Sequence, residues 1–179
     1  VHVVSVNTGR PARLEWNGRT HRSAIVKRPV DGPVTVRTLG LEGDAQADRR
    51  IHGGPEQALY AYAGEDLAWW STELGRELEP GTFGENLTLS GVDVTNARQG
   101  ERWAIGSTLV EVTTPRLPCV KLATRMQDPR FVRRFAEAGR PGAYLRVVRE
   151  GCLEAGDAVV LDGAGDGPTV GETARILTG

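Results

Sequence analysis

At 179 residues the chain is sized for one domain that buries roughly 70% of its unfolded surface. Hydrophobic content of 39% and charged content of 25% are those of an ordinary globular protein, and 23 glycines with 10 prolines suit many short strands better than a helical bundle. The net charge of −1 excludes a global pull toward nucleic acid or anionic membrane, so any anion site has to be a local cluster.

The opening Val1-His2-Val3-Val4-Ser5-Val6 is too short and too polar-flanked for a secretory core, and no apolar run approaches membrane-spanning length. The expectation is a cytoplasmic protein with Cys119 and Cys152 as free thiols, engaging neither nucleic acid nor membrane. Almost every cation is arginine. Lys27 and Lys121 are the only lysines, which restricts lysine chemistry to two positions.

Residues 1–7, with valine at alternate and adjacent positions, read as a strand. Arg13-Leu14-Glu15-Trp16 and Ala24-Ile25-Val26 flank the turn signal Asn17-Gly18, predicting a hairpin with a ragged second arm. Another strand begins at Val34. Residues 40–55 show no period, and Gly40, Gly43, Gly53 and Gly54 punctuate a stretch holding Asp44, Gln46, Asp48, Arg49, Arg50 and His52. Such a loop is often only solvated. Here, however, glycines let backbone approach a ligand, and one histidine stands beside both charge signs. Asp44, Asp48 and His52 suit a metal by residue type, yet nothing matches the spacing of strong zinc signatures.

Residues 58–62 alternate as a strand, and 65–74 form an amphipathic helix with Leu67, Trp70 and Leu74 on one face. Trp69 and Trp70 are adjacent, so one is expected in the core and the other at its rim. The glycine-rich turn over 80–86 leads to a strand at 87–89, and its Glu85 and Asn86 either build the turn or orient backbone at a site. Trp103-Ala104-Ile105 predicts another short hairpin, and 107–113 is a β-branched strand.

Between that strand and helical turns at 120–126 and 128–138, broken near Pro129, stands Pro115-Arg116-Leu117-Pro118-Cys119-Val120-Lys121. The prolines make a stiff, extended connection that presents Cys119 at a helix start, with Arg116, Lys121 and Arg125 close in sequence. Those surroundings favour an ionised sulfur, the form that attacks electrophiles or binds a soft metal. The plain alternative is a small buried hydrophobe. Strands follow at 143–148 and 158–161, with Cys152 between them read as structural filler. Residues 163–168 read as a flexible linker and 170–177 as a short helix, so the domain is taken as 1–162 with 163–179 as its tail. About nine strands against three helices predict a mostly antiparallel β fold, for which a closed or distorted barrel hides the edges.

Three segments, in this order and spacing, carry a family resemblance. They are Gly43-Asp44-Ala45-Gln46-Ala47-Asp48 with His52-Gly53-Gly54-Pro55, then Phe83-Gly84-Glu85-Asn86-Leu87, then Pro115 through Leu122. Together they resemble the MOSC domain, named for the C-terminal region of molybdenum-cofactor sulfurases. The branch most resembled is the small standalone bacterial one that includes 6-hydroxylaminopurine reductase. The resemblance runs from about Val34 to Leu161.

It implies a mostly β, barrel-like fold with a few short helices and the cysteine loop at its mouth. It also implies that Cys119 binds sulfur, or the molybdenum of a molybdopterin cofactor. In the reductase branch such a site removes oxygen from N-hydroxylated bases, with electrons from a separate reductase. Arg49, Arg116, Lys121 and Arg125 would then anchor phosphate and dithiolene. Asp44, Asp48 and His52 would orient the pterin or pass a proton during N–O cleavage, and Gly53, Gly54 and Gly84 would admit backbone amides to it. Gln46, Glu85 and Asn86 complete the implied cofactor set. The chain has no room for the pyridoxal-phosphate domain of full sulfurases and no iron–sulfur signature, so an enzyme would need a partner for electrons. A homodimer is left open. The other readings are a carrier that holds a persulfide on Cys119 or delivers cofactor without turnover, and an interaction protein with an unreactive cysteine.

Overall fold

Alternation in the first strand already sets one sheet face: in β1 (His2–Thr8) Val3 and Val6 are fully buried. The computed structural model describes residues 1–45 and 53–179. Next come β2 (Ala12–Trp16), β3 (Arg19–Ser23), β4 (Arg28–Pro29), β5 (Val34–Arg37) and β6 (Gly40–Leu41). The middle of the chain holds β7 (Leu59–Ala63), α1 (Gly64–Leu74), β8 (Leu87–Ser90), β9 (Arg102–Ile105) and β10 (Thr108–Pro115). Then follow α2 (Val120–Met126), α3 (Phe131–Ala138), β11 (Ala143–Arg149), β12 (Gly151–Leu153), β13 (Val159–Gly163) and α4 (Val170–Thr178). No helix among the described residues is long and apolar enough to cross a membrane.

Eight strands make one sheet in the order β13-β9-β10-β11-β7-β8-β1-β4. Its ladders are antiparallel except β7–β8, a parallel pair whose crossover contains α1. The fold is mostly β, as expected, but the strand order is open and no closed barrel is found among the described residues. The edges are managed differently. β4 is two residues long and ends in Pro29, which cannot donate to a further strand. The chain at the start of β1 reaches β13 and the residues before it through a few contacts, among them Val159 N–H donating to Val1 C=O (3.2 Å). Val3 N–H donates to Asp157 C=O (2.9 Å), Gly156 N–H donates to Val3 C=O (2.8 Å), and His2 bridges to Ala158.

The predicted hairpin forms, with a different second arm. Trp16 pairs with Arg19 across Asn17 and Gly18, both left-handed (φ 50° and 70°), so the return strand is Arg19–Ser23 rather than 24–26. The arm is polar, which concealed it from a reading based on apolar alternation. Cys152 is exposed on β12 and fills no core. The break between α2 and α3 falls where Asp128-Pro129 predicts it, with Gln127 in the left-handed region at φ 54°.

β7 is buried on both faces and divides the interior. Leu59, Ala61 and Ala63 join the sheet core of Val3, Leu87, Leu89, Trp103, Ile105, Val110 and Leu145. Tyr60 and Tyr62 point the other way, into an aromatic cluster with Trp70, Phe83, Phe131 and Phe135 that seats α1 and α3. Trp70 Nε1–H donates to the Tyr62 hydroxyl (3.1 Å), which itself donates to Arg140 C=O (3.0 Å). Trp70 is buried and Trp69 sits at the rim, as adjacent helical positions require.

Candidate functional site

β10 runs straight into the cysteine loop, and α2 begins as that loop ends. Cys119 is the extended residue before α2 (φ −139°, ψ 174°), and its carbonyl accepts from Leu122 N–H at 2.9 Å. Its side chain caps nothing, so the half-buried sulfur is left to face an open pocket. About 740 Å³ of space, open solvent included, lies between its walls. Its walls hold Cys119, Arg116, Lys121, Lys27, Asp44, Asn86, Gly53, Gly84, Gln57, Tyr60 and Tyr144, with Ser23, Ala24, Ile25, Ala45 and Phe83.

Asp44 is a junction inside one wall. Its carboxylate accepts from Lys27 Nζ at 2.5 and 2.6 Å, from Gly9 N–H at 2.8 Å and from Asn86 Nδ2 at 2.9 Å. The Lys27 and Asp44 side chains are only 8% and 7% exposed, so this is a desolvated ion pair. Asn86 carries the tie onward. Its Nδ2 also donates to Asn7 C=O (3.2 Å), and its Oδ1 accepts from Tyr60 N–H (3.1 Å). Glu85 is fully buried behind the wall and accepts from Gly81 N–H, Phe83 N–H and the Thr88 hydroxyl. Burial raises its pKa above the ordinary glutamate value, offset only in part by those donors. Gly84 lies at φ 82°, and a Cβ there would meet Ile25 Cγ1 at 2.8 Å, so the turn itself requires glycine.

Arg116 is built differently. It is 6% exposed, its guanidinium carbon stands 5.4 Å from the Tyr60 ring centre and 5.7 Å from that of Phe135, and Nη1 is buried without a hydrogen-bond partner among the described residues. Cys119 and Tyr144 lie within its electrostatic reach. Tyr60 and Tyr144 are opposed across the β7–β11 ladder, with ring centres 5.5 Å apart. Burial pushes the phenol pKa of each upward, so both stay protonated at neutral pH. The Tyr60 hydroxyl donates to Pro141 C=O at 2.8 Å.

Of the residues singled out from sequence, Asp44, Gly53, Gly84, Asn86, Arg116, Cys119 and Lys121 share this pocket. Glu85 stands behind it, and Gly54, left-handed at φ 89°, precedes the short turn Pro55–Gln57 away from the lining. Arg125 is one helical turn beyond Lys121 and off the wall. Gln46, Asp48, Arg49 and His52 lie outside the described residues. Among the described residues no three His, Cys, Asp or Glu side chains are grouped to hold a metal ion. Sequence reasoning missed Lys27, Gln57, Tyr60 and Tyr144 as pocket residues. The scarcity of lysine was the one available signal, because both lysines of the chain line the pocket.

A family model described as MOSC domain matches residues 48–160. YflK of Bacillus subtilis is 37% identical over 164 residues, which cover 92% of this chain and 74% of YflK. A Gibberella moniliformis protein named Reductase is 36% identical over 163 residues, 89% of this chain but 29% of its own length. The crystal structure of YiiM from Geobacillus stearothermophilus superposes with a TM-score of 0.80 at 32% identity, covering 98% of this chain and 83% of that one.

Proposed function

The chain belongs to the MOSC domain family, and on that premise we propose that its pocket binds a molybdopterin cofactor through Cys119 and that the protein reduces N-hydroxylated bases there. Arg116 carries the reading. Tyr60 and Tyr144 answer part of this buried guanidinium, but its Nη1 has no hydrogen-bond partner among the described residues, and an anionic or soft-anion group in the pocket would supply one. The donor set fits such a group: one thiol, one buried arginine and Lys121 on the same wall. The relative named Reductase supports redox chemistry as the class.

When bound, the cofactor supplies two-electron removal of oxygen at molybdenum, in which an N–OH group, two electrons and two protons give N–H and water. The chain's own part is positioning. Cys119 offers the soft ligand on a proline-framed loop, and Arg116 and Lys121 hold negative charge beside it. Tyr144 keeps its proton because it is buried, and serves as a neutral hydrogen-bond donor to the departing oxygen. The Lys27–Asp44–Asn86 tie holds part of the pocket lining together. In this reading electrons come from a separate reductase protein.

A half-buried free thiol beside cations also suits the second reading, a carrier with persulfide sulfur on Cys119. Elemental analysis of protein made in cofactor-competent cells with molybdate separates the two. We expect about one molybdenum per chain in the wild type and almost none in Cys119→Ala. Metal-free wild-type protein whose intact mass shows one added sulfur at Cys119 overturns the reductase reading in favour of the carrier.

A further inference from the structure

Residues 10–28 hold Arg10, Arg13, Arg19, Arg22, Lys27 and Arg28 against one carboxylate, Glu15, in a chain whose net charge is −1. They precede the residues matched by the MOSC domain model. Among the described residues β2 and β3 form a two-stranded ribbon joined to no other sheet. Its register sets Arg13 directly opposite Arg22 and Leu14 opposite His21. Opposed residues share a face, and Leu14 packs on the cluster that holds Leu122 and Met126, so Arg13 and Arg22 turn together to solvent. Arg19 stands beside the turn at the ribbon's tip. Arg28 pairs with Thr8, two residues before Arg10, and a Cβ on Gly9 would run into the Val26 carbonyl, so Arg10 and Arg28 flank the ribbon's base.

These charges are left largely unanswered. Of the five arginines, all exposed, Arg13 alone is in an ion pair with a described carboxylate (Glu15, 2.6 Å), while Lys27 is committed to Asp44. Two like charges directly opposed across a ladder weaken it, and neither packing nor burial requires them there. The arm also borders the pocket. Ser23 at the end of β3, with Ala24 and Ile25 after it, lines the pocket that Cys119 faces, and β2 packs against α2, which begins as the cysteine loop ends.

Arginines spread along an arm of roughly 17 Å do not converge on one small anion; they match an extended acidic surface. The outward face of the ribbon carries Arg13, Glu15, Thr20 and Arg22 and no ring on which a base could stack, which favours a protein over single-stranded nucleic acid. We propose that residues 10–28 are the docking surface for the acidic face of a small redox protein that delivers electrons to the adjoining pocket. The inference rests on the reductase reading for what the partner carries, and on the arm alone for the charge it presents. In each turnover the partner is oxidised by two electrons, which with two protons from solvent convert N–OH to N–H and water. Charge steering onto a small interface suits a partner that has to leave after each delivery.

Calorimetric titration of the full chain with flavodoxin, a small redox protein with an acidic surface, tests the docking without any molybdenum. Association is expected at about 20 mM salt and should weaken at least about tenfold at about 200 mM. Arg13→Gln/Arg22→Gln is expected to bind about tenfold more weakly at low salt, with a melting midpoint within about 2 °C of the wild type because the positions are exposed. Arg149→Gln is the control. Its site opposes Leu109, near the start of β10 and so at the far end of that strand from Cys119, and it should bind like the wild type. Flavodoxin that does not bind, that binds independently of salt, or that binds the double variant as tightly as the wild type overturns the proposal. A short single-stranded oligonucleotide that binds more tightly than flavodoxin and displaces it overturns the partner class. In molybdenum-loaded protein with reduced flavodoxin as donor, the double variant should raise KM for flavodoxin about tenfold at unchanged kcat; a lower kcat at unchanged KM overturns the docking role. Protein that fails to load molybdenum overturns the reductase reading alone, and the titration still decides the docking surface.

Discussion

Replacing Asp44 by alanine strips a buried lysine of its counter-ion. In the native wall Lys27 Nζ lies 2.5 and 2.6 Å from the two carboxylate oxygens, and neither side chain is more than 8% exposed. Removing one partner from such a pair costs roughly 3–5 kcal/mol, because the remaining charge stays buried and unpaired. Gly9 N–H and Asn86 Nδ2 lose the same acceptor, at about 1 kcal/mol or more each. The contacts share one carboxylate and do not add fully, so a total of about 5 kcal/mol is expected. For a chain of this length, 1 kcal/mol moves the melting midpoint by about 2–4 °C, which puts the loss at roughly 10–20 °C. Urea unfolding of wild type and Asp44→Ala reads the free energy, and scanning calorimetry reads the midpoint. The Lys27→Met/Asp44→Leu pair removes both charges and should recover most of the loss, as apolar replacements of buried ion pairs do. An Asp44→Ala protein that melts within about 2 °C of the wild type refutes the strut. If that same protein also failed to retain molybdenum, Asp44 would be a ligand contact, which is the role its place in the glycine loop implies.

Two further perturbations address the frame around the site. Gly142 lies at φ 67°, where an added Cβ would stand 2.7 Å from Ala61 C=O and from the Tyr60 and Tyr62 rings. Gly142→Ala is therefore expected to cost about 2 kcal/mol or more, seen as a lower urea midpoint at unchanged slope; an unchanged midpoint contradicts the packing described. Glu85 carries a raised pKa, so the folded chain binds more protons than the unfolded one between the ordinary and the raised value. Its contribution is present in full below the ordinary glutamate value and is lost as pH rises through the raised one. Against a Glu85→Gln reference that does not titrate, the wild-type melting midpoint should fall from about pH 4 upward, and parallel curves would show that Glu85 is not desolvated.

What the sequence makes legible depends on how local the cause is. The β10 strand, the helix of 65–74 and the break at Pro129 follow from periods and proline chemistry within a few residues, and each forms. The open strand order and the parallel β7–β8 pair depend on partners distant in sequence, where local pattern is silent. Arg19–Ser23 escaped because a polar arm folds on its turn alone.

The same rule divides the site. Cys119 is legible because two prolines and a helix start sit beside it. Asp44, Glu85 and Asn86 are legible only as unusual, since polar residues in glycine turns serve equally to build a wall or to face a ligand. Their partners are mostly distant in sequence: Lys27, donor to Asp44, is 17 residues away, Gly81, donor to Glu85, is 4 away, and Asn7, whose carbonyl accepts from Asn86, is 79 away. Composition conceals the consequence. A chain with net charge −1 looks electrically neutral, yet Arg116 and Lys121 line the pocket and neither is in an ion pair with a described carboxylate. Local excess of that kind exists only after folding has chosen the pairs, so it follows from the pairing pattern rather than from the residue list.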